Sequence, residues 1–106
     1  MIKTPYVLCA AIWYKDLPLV KVFDANVLPV NCDRGIVFCG HRHPHCLYSM
    51  ISMTGKRSTT PEVGEYVQGF LTSDNRFVDR EEAATIAWDA SQISSPRTVL
   101  YSEDLY

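Results

Sequence analysis

The stretch from Glu65 to Ser91, EYVQGFLTSDNRFVDREEAATIAWDAS, constrains the fold more than any other part of the chain. Along EYVQGFLT, Tyr66, Gln68, Phe70 and Thr72 fall on one face and Val67, Gly69 and Leu71 on the other, which is the two-residue period of a strand. SDN has the chemistry of a hairpin turn, and RFV returns as a short second strand. Asp79 then fits an N-cap, Glu82 three residues later completes a capping-box pattern, and Ala83, Ile86, Ala87 and Ala90 form an apolar stripe. Pro96 blocks any continuation.

The remaining segments extend the same mixture. YVLCAAIWY, from Tyr6 to Tyr14, is rich in strand formers and ends in the turn-like KDLP. LVKVFDANVLPV is interrupted by Pro29 and reads as edge strands or an extended loop. CDRGIVFCG supplies a turn at Gly35 and the short buried strand IVFC. Pro44 suits the first turn of a helix, Leu47, Met50, Ile51 and Met53 follow helical spacing, and Gly55 ends the run. KRSTTPEVG is a polar loop, and TVLYSEDLY reads as a short strand with an acidic, aromatic tail. The sum is an α+β fold: a mainly antiparallel sheet, with about six strands, and two helices packed against it.

With 106 residues the chain is expected to form one domain, residues 1–106, with a single core. A net charge of −2 argues against a basic surface for long nucleic acids, and no apolar run is long enough for a membrane span. The opening MIKTPYVLCAAIWY lacks a cleavage site and reads as a first strand. Cys9, Cys32, Cys39 and Cys46 sit at irregular spacings in apolar surroundings, which suits buried free thiols in a reducing cytoplasm.

All the histidines lie in CGHRHPHC, residues 39–46. On a strand His41, His43 and His45 would project to one side, a natural arrangement for zinc, and Cys39 and Cys46 could add thiolates. The paired C-x-x-C spacing is missing, and no further histidine exists to complete a site. Cys46 in the first turn of a helix, with His43 or His45 as base, could instead be a nucleophile, but no third member of such a set is assignable. The third reading is an anion site, with Arg42 forking onto a phosphate and His43 and His45 donating beside a helix N-terminus. A solvated loop that satisfies its own turn is an equally good reading of these residues alone. A second group lies around QGF and NRFVDREE, where Phe70 offers a face for adenine and Arg76 and Arg80 offer guanidinium forks. Asp79 there could accept from ribose hydroxyls. Taken singly, each is better explained as core, cap or solvated helix residue.

Together, GHRHPHC, QGFLTSDNRFVDREEAATIA and the terminal LYSEDLY resemble the small phage proteins of the Thoeris anti-defence family of the first type. The resemblance runs from CGHRH to the C-terminus, about two-thirds of the chain. It implies a non-enzymatic sponge, without cofactor or metal, that binds a cyclic ADP-ribose-type immune signal in the infected host's cytoplasm without degrading it. It further implies an α+β fold and assembly into dimers and larger oligomers, a hexamer among them. Signal pockets between protomers and separate sites for cyclic oligonucleotides are implied as well. Carried onto this sequence, the signal pocket would use Arg42, His43, His45, Phe70, Asp79 and Arg80, with Arg97 as a phosphate contact. The alternatives are a Cys/His hydrolase or lyase acting on a nucleotide, and a zinc-stabilised interaction module. A domain this small has little room to enclose a dinucleotide, so a homodimer is the expected binding unit. The N-terminal strand and the tail residues Leu100, Tyr101, Leu105 and Tyr106 are the apolar surfaces expected to pair.

Overall fold

The computed structural model describes residues 4–19, 27–57 and 59–105. Its strands are β1 (Val7–Tyr14), β2 (Ile36–Gly40), β3 (Tyr66–Thr72) and β4 (Phe77–Asp79), and its helices are α1 (His43–Thr54) and α2 (Arg80–Asp89). The strands form one antiparallel sheet in the order β2-β1-β3-β4. The fold is therefore α+β, with four strands among the described residues rather than about six. The two further strands are expected in LVKVFDANVLPV and in TVLY, and neither stands among the described residues. Val27–Val30 is a loop, while 20–26 lie outside the described residues. The TVLY segment makes no ladder but a single bond from the Leu100 N–H to the Arg80 carbonyl, followed by a 3₁₀ turn at Ser102–Asp104.

A bulge at Leu8 sets which face of β1 is which. Register slips between Val7 and Cys9, so Val7 joins Ala10, Ile12 and Tyr14 beneath the helices. Those residues, with Phe38, Cys46, Met50, Phe70, Val78, Ala83, Ala84, Ala87 and Leu100, make the main core. The other face, Ala11 and Phe77 with Trp13, Val37, Val67 and Leu71 beside them, is covered by the loop carrying Leu28 and Cys32. β1 is thus the strand between β2 and β3, and most of its apolar residues pack within the chain's own sheet, while Leu8 is exposed. Of the tail, Leu100 is buried, Leu105 packs on the core and Tyr101 is exposed, while Tyr106 lies outside the described residues.

Two side-chain amides finish strand backbones that lack a neighbour. Gln92 accepts from the Val7 N–H at 2.7 Å and donates to the Val7 carbonyl at 2.8 Å. Asn31 does the same for Phe77 on β4, at 2.8 and 2.6 Å. Each satisfies a buried donor and acceptor together, tying α2's end to β1 and the loop to the sheet edge. Gly69 has a packing reason: a Cβ there would lie 2.0 Å from the Val78 carbonyl oxygen. α1 ends at Gly55, whose left-handed φ of 70° lets its N–H return to the Ile51 carbonyl. The four cysteines are free, but only Cys32 and Cys46 are buried. Cys9 and Cys39 lie side by side on β1 and β2, and a thiol–thiol hydrogen bond draws Cys9 down to about 7 and pushes Cys39 up.

Candidate functional site

The helix-covered face of the sheet is filled at one end and open at the other. In register, Ala10 faces Phe70, Ile12 faces Gln68 and Tyr14 faces Tyr66. α2 lies over the Phe70 end, and beyond it the face opens into a cavity of about 420 Å³. This volume falls within the roughly 300–1,000 Å³ usual for small-molecule sites. Ile12 and Tyr14 line it from β1, Tyr66 and Gln68 from β3, and His43, Pro44, Leu47 and Tyr48 from the first turns of α1. Arg80 at the head of α2 and Tyr101, Ser102 and Glu103 of the tail complete the wall.

Arg80 is the cation of this wall and is held in place from two sides. Nη1 donates to the Leu100 carbonyl at 3.0 Å, and Nη2 to Gln68 Oε1 at 2.6 Å. The guanidinium also stacks over Tyr101, 4.9 Å from its ring centroid. A guanidinium fixed in this way loses little freedom when it meets an anion. Tyr48, Tyr66 and Tyr101 are exposed, so the rim presents aromatic faces to solvent.

His43 belongs to the same wall, but its first role is structural. Its Nε2 lies 2.7 Å from the Gly69 carbonyl, and its ring meets Phe70 edge-on at 5.0 Å. A carbonyl only accepts, so Nε2 carries the hydrogen and Nδ1 keeps its lone pair. Burial, and secondarily Arg80, lower its pKa against the opposing effects of the Gly69 bond and Glu103. The imidazole is therefore the neutral form at neutral pH.

Of the residues expected at a signal pocket, His43 and Arg80 come together at the cavity. The others lie elsewhere. Phe70 is fully buried and has no face to offer a ligand. Asp79 is the N-cap of α2, its Oδ1 accepting from the Glu82 N–H at 2.8 Å, while the Glu82 carboxylate pairs with Arg76 at 3.3 Å. Arg97 pairs with Asp104 at 3.2 Å on the tail. Arg42 caps α1: its carbonyl accepts from the His45 and Cys46 N–H groups, and its own N–H donates to His45 Nδ1. That closure, with Pro44 lacking an N–H, leaves α1's first turn few donors for an anion.

The histidine run is not a strand, so its alternation does not align the rings. His41 and His45 lie 6.2 Å apart at the outside of the turn, and His43 points into the core. Among the described residues, no three His, Cys, Asp or Glu side chains gather as a metal site. Cys46 is fully buried, its thiol 3.4 Å from the Ala10 carbonyl, and burial first, then the charge of Cys9, push it up to about 11. The sequence reading missed Tyr14, Tyr48 and Tyr101. Their signal was present only as tyrosines set in three separate segments, which a linear reading cannot bring together.

The family model of the phage T4 y16D protein matches residues 6–106. The chain belongs to this family of phage proteins. No curated protein and no solved structure matches it. Among the described residues no helix is long and apolar enough to cross a membrane.

Proposed function

We propose that this phage protein is an anti-defence sponge. It binds and sequesters a cyclic ADP-ribose-type immune signal in the host cytoplasm, leaves it intact, and so keeps a Thoeris effector inactive. The observation that carries the proposal is the aromatic cavity with its immobilised cation. Tyr48, Tyr66 and Tyr101 supply stacking surfaces for a purine, and Arg80 supplies a fork for a diphosphate. The absence of enzymatic turnover is part of the proposal, supported by Cys46 being held as a buried thiol.

The cavity is a groove with an exposed aromatic rim, which suits a ligand shared with a second protomer. A homodimer is the minimal binding unit in this proposal, with a hexamer as the larger assembly and cyclic oligonucleotides as a second ligand class. Calorimetric titration of cyclic ADP-ribose and of a cyclic dinucleotide, combined with light scattering, tests it. Saturable binding of the first by a dimer or larger species is expected. Failure of any ADP-ribose-type ligand to bind overturns it.

A further inference from the structure

Cys9 and Cys39 form a pair that neither the main core nor the cavity uses. Ala11 faces Cys39 across β1 and β2, and Cys9 stands two residues before Ala11 on the same face. The two cysteines are therefore diagonal neighbours on adjacent strands. Their thiols are in hydrogen-bond contact. Cys9 is half-buried and Cys39 is exposed, whereas Cys32 and Cys46 are buried. Of the four cysteines, these are the two that solvent reaches.

The contact gives the two sulfurs different characters. The Cys39 S–H donates to the Cys9 sulfur and lowers that thiol from the ordinary 9.0 to about 7, while burial opposes the shift and the Gly40 N–H adds to it. Cys39 moves the other way, held up as the donor in the same bond and by burial. About half of Cys9 is thus thiolate at neutral pH, and the thiolate is the nucleophilic form. A second thiol touching it is in position to close a disulfide. β2 is an edge strand hydrogen-bonded to β1 alone, so the small approach a disulfide requires breaks no further ladder.

We propose that Cys9 and Cys39 are an oxidation site, with Cys9 as the attacking thiol and Cys39 as the thiol that closes the disulfide. The oxidant is hydrogen peroxide. The Cys9 thiolate attacks one peroxide oxygen, an S–O bond forms, the O–O bond breaks, and hydroxide leaves to become water. Cys9 is then a sulfenic acid, and its two electrons have passed to the peroxide. With the negative charge on Cys9 gone, Cys39 gives up its proton and attacks the Cys9 sulfur. The S–S bond forms as the S–O bond breaks, and a second water leaves. The product joins β1 to β2 covalently and takes two electrons from an added dithiol to reverse. This site is independent of whatever ligand the cavity takes.

The test treats the reduced full chain with hydrogen peroxide under native conditions and reads its intact mass. One disulfide removes two hydrogens, a loss of about 2 Da that dithiothreitol reverses. Tryptic digestion without reductant should then yield residues 4–15 linked to residues 35–42, from a chain of monomeric mass. In Cys39→Ser, a cyclic 1,3-diketone should trap a sulfenic acid on Cys9. In Cys9→Ser, no such adduct should form on Cys39. An unchanged mass, or a link that includes Cys32 or Cys46, overturns the proposal. A link found only between two molecules overturns it as well, because the contact lies within one chain. Trapping on Cys39 in Cys9→Ser overturns the assigned roles. The linked peptide is read in the parent chain, so a variant that fails to fold leaves the test intact.

Discussion

One face of β3 carries two surfaces with different duties. Phe70 and Thr72 are fully buried, whereas Gln68 and Tyr66, two and four residues before Phe70 on the same face, are exposed at the cavity. The strand period gives all four residues the same orientation and says nothing of what covers them. Coverage is decided by where α2 begins, at Arg80, and by the path of α1 and the tail. An aromatic residue on this face is thus a core residue or a ligand surface according to its position along the strand, and Phe70 and Tyr66 are on opposite sides of that boundary.

Exchanging each aromatic for alanine is the strongest way to break the comparison. Phe70→Ala should destabilise the fold by about 3–5 kcal/mol, read by denaturant unfolding, because it opens a hole in the core. Tyr66→Ala should leave most of the stability and weaken nucleotide binding by about 1–3 kcal/mol, the range for one stacked base. Equal stability losses in the two variants would erase the boundary. Arg80→Ala should cost about 1.5–3 kcal/mol of binding by calorimetry, as for a charge-assisted hydrogen bond. Asp79→Ala, at a residue that caps α2 away from the cavity, should lower stability by about 1 kcal/mol and leave affinity unchanged.

Acidification sharpens the same boundary at His43, which joins the core to the cavity wall. Its folded pKa lies below the ordinary value of 6.5, so the unfolded chain takes up the proton first as pH falls. The stabilisation is therefore complete above pH 6.5 and is lost as pH drops through the folded value. Thermal melts from neutral to mildly acidic pH should show this fall, and His43→Gln should flatten it. The smallest effect is expected at Arg97, whose half-exposed pair with Asp104 should contribute about 0–1 kcal/mol to stability. Arg97→Ala should bind nucleotide like the parent.

The hairpin and α2 were legible in the sequence because their signals are local. Period-two alternation along Tyr66–Thr72 and the Asp79 cap each depend on neighbours a few residues away, and both elements stand as read. The strand expected near TVLY failed because pairing is not local: the segment meets α2's start through Leu100 and Arg80 instead of a ladder. The site was legible only in part. Arg80 and His43 sit in motifs a linear reading picks out, but Tyr14, Tyr48 and Tyr101 become neighbours only after the sheet, α1 and the tail converge. Phe70 reads as a stacking ring in the sequence because the strand period shows its face and not its cover.

The most direct measurement of sequestration is a capture-and-release assay. Cyclic ADP-ribose is mixed with excess protein, filtered, and recovered after heat denaturation for mass analysis. The account predicts that the free signal disappears from the filtrate and returns after heating with its mass unchanged. A filtrate that still holds the signal, or a released product of altered mass, would contradict it.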